Sequence, residues 1–361
     1  MAPNNYIMTS VLVNGTGTIG EPLIALLLST KKNLGIDELC FYKHTARLTD
    51  RPMIENLQKK GGKMCVDKNK LKEFRDLDIE PDMTFDETLK KIDVIADTTA
   101  EGVGRYNKEK YYKKIEERAV GFLAQGSESG FGTIYANNVN DNIFEKNKYP
   151  KYVQIASCNT HAAASTIKHF AFNSDDNNNL LHANLTFLRR ASDVSQERGV
   201  MAPTISNYTH DRFGTHHAED VHKLFMTKGY DLDVFSSAIK VNSQYMHTLF
   251  SHLILEKETT KEELLNKIYE TNELAITNKT AVNLVFSFGR DHEHFGRILN
   301  QAVIVEPSIK VNGKHIYYWS FTPQDGNALL SSVKAIMYWL HGKEEVENKM
   351  EYVNPWLFEE V

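Results

Sequence analysis

Residues 6–13, Tyr-Ile-Met-Thr-Ser-Val-Leu-Val, run into Asn14-Gly15-Thr16-Gly17-Thr18-Ile19-Gly20 and then into Glu21-Pro22-Leu23-Ile24-Ala25-Leu26-Leu27-Leu28. The first run is rich in β-forming residues and the last reads as a helix, so the glycines fall in a strand-turn-helix with G-x-G-x-x-G spacing. Gly15 permits the tight turn, Gly17 lets backbone approach a pyrophosphate, and Gly20 allows close packing of helix on strand, with the helix N-terminus facing the anion. A glycine-rich turn can also be no more than a turn. Its place between the correct elements is what favours a dinucleotide.

Outward from that turn the pattern alternates. Residues 38–42 predict the next strand, which ends where an adenosine ribose would lie. An acidic side chain there suits NAD. This chain instead has Lys43-His44-Thr45-Ala46-Arg47, which suits a 2′-phosphate and predicts that NADP is accepted; the alternative is a solvated basic loop. Residues 50–89 are polar and predict short elements at one edge of the sheet. Residues 92–99 form a buried strand ending in Asp97-Thr98-Thr99, followed by Gly102-Val103-Gly104, where the crevice of a doubly wound sheet opens. Residues 106–118 read as a charged helix. Residues 119–128, with Gln125-Gly126, give another strand and a second cofactor contact. Strand and helix alternate up to residue 158, which argues for a parallel sheet.

A second stretch carries the chemistry. Residues 152–156 are a β-type run ending in Ser157-Cys158-Asn159-Thr160-His161, and the following residues read as a helix, so Cys158 stands at a strand-to-helix corner. The helix dipole and unpaired N–H groups there favour thiolate and can hold a developing oxyanion. The plainer alternative is an inert, buried small residue. Residues 181–188 alternate as a half-buried strand ending in Arg189-Arg190, side chains that can clamp a phosphate or simply end a strand in solvent. A long irregular segment, residues 191–215, leads to His216-His217 at the start of a helix. Adjacent histidines do not share a helical face, so anion contact ranks above a zinc site.

The final third changes character. Residues 236–241, 245–255, 281–288, 302–311 and 314–321 read mostly as strands, with a helix at 261–269, which predicts an α+β half built on an antiparallel sheet. Tyr245-Met246-His247 opens one strand, and residues 324–341 close the chain as an amphipathic helix. Such a histidine is structural unless the fold brings it to a nucleophile.

Bulk composition narrows the function classes. At 361 residues two domains are expected. A net charge of -5, with lysine runs broken by glutamates, gives no nucleic-acid footprint. Three cysteines without CxxC spacing suggest neither a disulfide framework nor a zinc ribbon and fit a reducing compartment. No signal-peptide pattern and no membrane-length apolar run is present, so a cytoplasmic protein without membrane attachment is expected.

In order and spacing, Asn14-Gly15-Thr16-Gly17-Thr18-Ile19-Gly20, Asp97-Thr98-Thr99, Gly102-Val103-Gly104, Gln125-Gly126, Ser157-Cys158-Asn159-Thr160, Arg189-Arg190-Ala191, His216-His217 with Asp220-Val221, and Met246-His247 closely resemble the archaeal-type (type II) glyceraldehyde-3-phosphate dehydrogenases. The resemblance implies an α/β fold: a Rossmann-type doubly wound parallel sheet over residues 1–157, completed by a C-terminal helix over 324–361, and a second α+β catalytic domain over 158–323 on a mostly antiparallel sheet. It makes Cys158 the nucleophile and His247 the base. Ser157, Asn159, Thr160, Arg189, His216 and His217 would line the substrate and phosphate site. Gly15, Gly17, Thr18, Ile19, Gly20, Thr98, Gly126 and Gln324 would hold NADP or NAD, with Lys43 near the adenosine ribose and Arg190 serving either ligand. The implied reaction is phosphorylating oxidation to 1,3-bisphosphoglycerate, in glycolysis or gluconeogenesis, by a homotetramer that uses a phosphorylated aldehyde and inorganic phosphate. The chain departs from the family pattern at His161 (usually Thr), Ser165 (usually Arg), Ser127 (usually Gly) and Pro323-Gln324-Asp325 (usually His-Gln-Glu). Two rivals remain open: a dehydrogenase of the same scaffold acting on another phosphorylated or acidic aldehyde or resolving the thioester with water, and a non-catalytic dinucleotide-binding regulator.

Overall fold

The structure, a computed structural model, describes residues 8–126, 128–145, 149–192, 194, 202–323 and 325–361. The chain divides into two compact units: the described residues of 1–133, 147–154 and 332–352, and those of 134–146, 155–331 and 353–361. These boundaries cut within β7, β8 and α10 as defined below.

The first half alternates as its sequence predicts: β1 (Ser10–Asn14), α1 (Gly20–Thr30), β2 (Glu38–Tyr42), α2 (Arg51–Lys59), β3 (Lys63–Val66), α3 (Leu71–Arg75), β4 (Met83–Thr84), α4 (Phe85–Leu89), β5 (Val94–Asp97), α5 (Val103–Lys110), β6 (Gly121–Ala124), β7 (Thr133–Tyr135) and β8 (Tyr152–Ile155). The strand order is β4-β3-β2-β1-β5-β6-β8-β7. The ladders from β4 to β8 are all parallel. Strands such as Ser-Val-Leu-Val-Asn and Val-Ile-Ala-Asp are buried along their length, as a sheet covered on both faces requires. Leu12, Ile95, Phe122 and Tyr112 share one core, in which Phe122 stacks on Tyr112 at 5.3 Å and on Tyr152 at 4.9 Å. The order reverses between β1 and β5, so their carboxyl ends form the topological switch point where ligands of this architecture bind.

The second half comprises α6 (Cys158–Ala171), β9 (Leu180–Arg190), β10 (Thr204–Ile205), α7 (His216–Met226), β11 (Val234–Val241), β12 (His247–Leu255), α8 (Lys261–Tyr269), β13 (Leu274–Thr277), α9 (Val282–His292), β14 (Ala302–Val305), β15 (Lys310–Asn312), β16 (His315–Thr322), α10 (Gly326–His341) and α11 (Lys343–Met350). Its sheet runs β10-β11-β9-β12-β16-β14-β13, with β15 paired to β16. It is mixed: β9 with β11 and β13 with β14 are parallel, and the remaining pairs are antiparallel. Along β12, Leu249, Ser251, Leu253 and Leu255 are buried while Phe250, His252 and Ile254 between them are half-buried, the period of two of a one-sided strand. Ala162, Ala163, Ile167 and Phe170 of α6 join Leu185, Phe187, Leu249 and Leu253 in the core beneath that face.

Three local expectations are corrected. The charged helix read over 106–118 is α5, which starts earlier and ends at Lys110, and a short 3-10 turn at Tyr112–Lys114 follows with Tyr112 fully buried. Residues 281–288 were read as strand for their Val and Phe content, but α9 spans Val282–His292 with Val285 and Gly289, four residues apart, buried on one face. The helical period outweighs the β propensity of the individual residues. The single strand expected over 302–311 is broken after Val305 by the Glu306-Pro307-Ser308 turn, where proline has no N–H to give a ladder. Among the described residues no helix is long and apolar enough to cross a membrane.

Candidate active site

Cys158 is the first residue of α6, and the N-cap Ser157 accepts a hydrogen bond from Thr160 N–H at 3.3 Å. A serine cap followed by small and alanine residues starts the helix here because the cap satisfies one of the otherwise orphaned first-turn donors. Asn327 holds the same turn from α10: its Nδ2 donates to the Cys158 carbonyl at 2.9 Å and to Gln301 O at 3.0 Å. Cys158 is half-buried, whereas Cys40 and Cys65 are fully buried.

The expected thiolate-favouring environment is only part of the balance. Burial pushes the Cys158 thiol up to about 12, and the Asp325 carboxylate adds to that; Arg190, the Asn159 N–H and Arg189 pull the other way without prevailing. Desolvation therefore outweighs the helix terminus.

His247 opens β12 opposite Thr322. Its Nδ1 accepts the backbone N–H of Arg190 at 2.9 Å, so a neutral ring carries its proton on Nε2. Burial, then Arg190 and Arg189, push this imidazole down to about 3. Arg190 in turn pairs with Asp325 at 3.2 Å. His217 is buried in α7 against Phe187, with ring centroids 4.6 Å apart, and neither ring nitrogen has a hydrogen-bond partner. Burial, His216, Arg189 and His247 hold it well below the usual histidine range. The Arg189 charge thus bears on Cys158, His217 and His247 alike, and the Arg190 charge on Cys158 and His247. Asn159, 2% exposed, adds a carbonyl oxygen without a partner.

His161, on the first turn of α6, is held by bonds of its own. It is fully buried, Nδ1 lies 3.0 Å from Ser157 O and Nε2 lies 2.7 Å from Ser331 Oγ. Ser157 O can only accept, so Nδ1 carries the proton of the neutral ring and Nε2 accepts the Ser331 hydroxyl proton; Ser331 Oγ also accepts Asn137 N–H at 2.9 Å. Burial pushes the ring down to about 4, which keeps it neutral in this chain of bonds. The neighbouring Ser165 is 1% exposed.

In the first unit the glycine turn has the geometry a dinucleotide requires. Gly15 has φ +116°, and a Cβ on Gly20 would lie 2.2 Å from Gly15 O and 2.5 Å from Thr98 Oγ1. A Cβ on Gly17 would meet nothing within 4 Å, leaving open space at the tip of the turn. Thr98 Oγ1 donates within 3.2 Å to Asn14 O and Gly15 O, tying the turn to the end of β5. Below it Asp97 accepts Tyr112 OH at 2.5 Å, Asn107 Nδ2 at 2.8 Å and Thr99 N–H at 3.0 Å. A cavity of about 550 Å³ opens there, lined by Gly15, Gly17 and Thr98 and walled by Tyr42, Phe85, Tyr106 and Tyr111. These residues fit a dinucleotide: backbone can be approached at Gly17, and flat side chains are present for a purine.

Thr18 and Ile19 lie in the same turn, Ile19 as N-cap of α1, and Gly126, two residues past the end of β6, has φ +73° with nothing within 4 Å of where a Cβ would stand. Lys43 does not join the cavity wall; its Nζ pairs with Asp50 at 2.6 Å, and His44 and Asp67 line the wall instead. Gln324 and Ser127 lie outside the described residues. Sequence reasoning missed Asp325 as the partner of Arg190, Asn327 and Ser331 as the ties on α6, and Asp67 in the cavity. Only Asp325 had a signal, as a departure from the family pattern.

No family model matches the chain. Curated proteins do. The glyceraldehyde-3-phosphate dehydrogenase of Methanopyrus kandleri is 26% identical over 354 residues, 95% of either chain. That of Picrophilus torridus is 24% identical over 337 residues, 91% of either chain. That of Sulfolobus acidocaldarius is 25% identical over 341 residues, covering 91% of this chain and 92% of its own. Over almost its whole length, therefore, this chain is similar to glyceraldehyde-3-phosphate dehydrogenases.

Proposed function

We propose that the chain is a nicotinamide-dependent oxidoreductase that oxidises glyceraldehyde 3-phosphate through a thioester on Cys158. Support for the coarser reading comes from the doubly wound sheet with its glycine turn and from the dehydrogenase relatives. What supports the finer one is that the charges of Arg190 and Arg189 bear both on the Cys158 thiol, at the first turn of α6, and on the His247 ring.

The Cys158 sulfur adds to the aldehyde carbon, forming a C–S bond as the C=O π bond opens and the thiol proton passes by way of water to the carbonyl oxygen; the resulting thiohemiacetal gives up that hydroxyl proton to water as hydride leaves its carbon, which forms the thioester. The first-turn N–H groups of α6 steady the oxygen that carries the developing negative charge. His247 presents Nε2–H to that oxygen, because its Nδ1 is engaged by Arg190 N–H. This assigns it a donor role in the resting tautomer rather than that of the base implied by the family resemblance. The glycine turn and its cavity would hold a nicotinamide dinucleotide, which would supply the hydride acceptor for this oxidation. Arg189, His216 and the unpartnered nitrogens of His217 receive the phosphate group, with Arg190 braced by Asp325. Ser157 and Thr160 set the corner that aims the thiol, and Asn159 offers its free oxygen to a substrate hydroxyl. The thioester is then resolved by inorganic phosphate to the acyl phosphate, the step shared by glycolysis and gluconeogenesis. The same reading carries a homotetramer, which mass measurement in solution tests.

One observation favours a second reading, in which water resolves the thioester. His161 is neutral with both ring nitrogens engaged, and Ser165 is 1% exposed, so these two departures from the family pattern supply no cation on α6 for an incoming phosphate. One assay tests both readings: nicotinamide reduction with glyceraldehyde 3-phosphate, with and without phosphate, in wild type and C158S. Phosphate-stimulated turnover lost in C158S supports the first reading. Turnover indifferent to phosphate supports the second, and full turnover by C158S refutes both.

A further inference from the structure

The cavity at the glycine turn is asymmetric in charge. In a doubly wound sheet the adenosine ribose of a dinucleotide lies beyond the tip of β2, and here that tip is Tyr42 and His44 with Asp67, the residue after β3, beside them. Phe85, Tyr106 and Tyr111 provide the flat surfaces on which a purine stacks. The ammonium groups near the ribose end are each engaged by other groups, Lys70 at His44 and Lys110, which also lines the cavity, at Tyr106 and Tyr111. Lys43 Nζ pairs with Asp50 at 2.6 Å, and Lys70 Nζ donates to the His44 carbonyl at 2.5 Å. Lys110 belongs to α5, following β5, and lies over the rings of Tyr106 and Tyr111 at 5.1 and 4.9 Å.

The Asp67 carboxylate is held in place. Tyr42 OH donates to its Oδ2 at 2.9 Å and lies 3.0 Å from His44 Nδ1. Burial and the Asp67 charge push the Tyr42 hydroxyl up, so it remains a donor. A carboxylate so presented accepts a hydrogen bond from a ribose hydroxyl, whereas a 2′-phosphate would bring about two further negative charges against it.

We propose that Asp67, oriented by Tyr42, is the cofactor-selecting residue: it binds the 2′-hydroxyl of the adenosine ribose and disfavours a 2′-phosphate, so that the chain prefers NAD to NADP. This rests on the dinucleotide reading of the glycine turn and runs against the acceptance of NADP expected from the basic run at residues 43–47. The strand after the expected one supplies the acidic group.

The test is binding without turnover: calorimetric titration of the intact chain with NADH and NADPH, and with ADP and 2′,5′-ADP as probes of the adenosine half. Wild type binds NADH at least about tenfold more tightly than NADPH, and ADP more tightly than 2′,5′-ADP. In D67N and D67A, two variants at a partly exposed position, the ratio falls to within about threefold, mainly by tighter NADPH binding. Equal or tighter NADPH binding by wild type overturns the inference, as does a ratio unmoved in both variants. If neither dinucleotide binds the wild-type chain, the dinucleotide reading itself falls and takes this inference with it.

Discussion

The backbone N–H of Arg190 donates to Nδ1 of His247 at 2.9 Å. That one bond fixes which nitrogen of the imidazole carries the proton, and it does so from the residue whose guanidinium also pairs with Asp325. Burial and the two arginines push the ring down to about 3, so it is neutral throughout the working range. The expected outcome is a pH profile of kcat/KM without an acid limb from this histidine between about pH 5 and 7. His247→Gln, which keeps an amide donor, should retain more turnover than His247→Ala by about tenfold. A limb near the ordinary histidine range that vanishes in His247→Gln would show the ring acting as a base.

The Cys158 thiol is pushed up to about 12 by burial and Asp325. Alkylation of the ligand-free chain by iodoacetamide should therefore be slow at neutral pH and rise about tenfold per pH unit well beyond pH 9. Asp325→Asn removes the carboxylate that opposes ionisation and should speed alkylation by about tenfold, since a charge at short range moves a pKa by about one to three units. Arg190→Met should slow it. Cys40 and Cys65 are fully buried, with thiols raised by desolvation, so mass spectrometry should find the label on Cys158.

The histidine bonds also set a stability dependence. His161 is pushed down to about 4 in the folded chain, below its unfolded value of about 6.5. A lowered histidine pKa means that the unfolded chain binds the proton more readily, so its contribution to stability is intact above pH 6.5 and is lost as pH falls toward 4. Each unit of separation corresponds to about 1.4 kcal/mol. Glu293, raised to about 8 by burial, and Asp220, raised to about 6, work in the opposite direction. The comparison must therefore be by variant: His161→Asn should lose stability at pH 8, and its deficit against wild type should narrow as pH falls to 5 in urea unfolding. A deficit constant with pH would mean that the imidazole is not held neutral.

Much of this was legible because local pattern and global fold agree. The glycine turn lies between a β run and an apolar helix, and the buried strands β1, β5 and β6 read as continuous apolar runs because helices cover both faces. Cys158 was found for the same reason: Ser157 caps a helix directly after a strand. The α9 segment was misread because its aromatic and β-branched residues favour strand while its burial follows a helical period, and a single sequence does not say which face is covered. The ties that set the chemistry were hidden more deeply. Asp325 meets Arg190, 135 residues earlier, and Ser331 meets His161, 170 residues earlier. No local signal encodes such pairs. Lys43 was assigned to the ribose by its place in the chain, yet Asp50, a nearby carboxylate, claims its ammonium group.

The glycine turn offers a test that separates packing from binding. A Cβ on Gly20 would lie 2.2 Å from Gly15 O and 2.5 Å from Thr98 Oγ1, a contact that backbone cannot relieve without moving the turn off β5. Gly20→Ala should therefore cost about 1–3 kcal/mol in urea unfolding and abolish NADH binding together. A Cβ on Gly17 meets nothing within 4 Å, so the ligand-free chain has no steric objection to it. Gly17→Ala should stay within about 1 kcal/mol of wild-type stability while weakening NADH binding by about tenfold or more, because the new methyl occupies space that backbone leaves for the pyrophosphate. If Gly17→Ala binds NADH as wild type does, the open space is not where the phosphates lie. If both variants lose stability equally, the turn is held by its own conformation rather than by contact with Thr98.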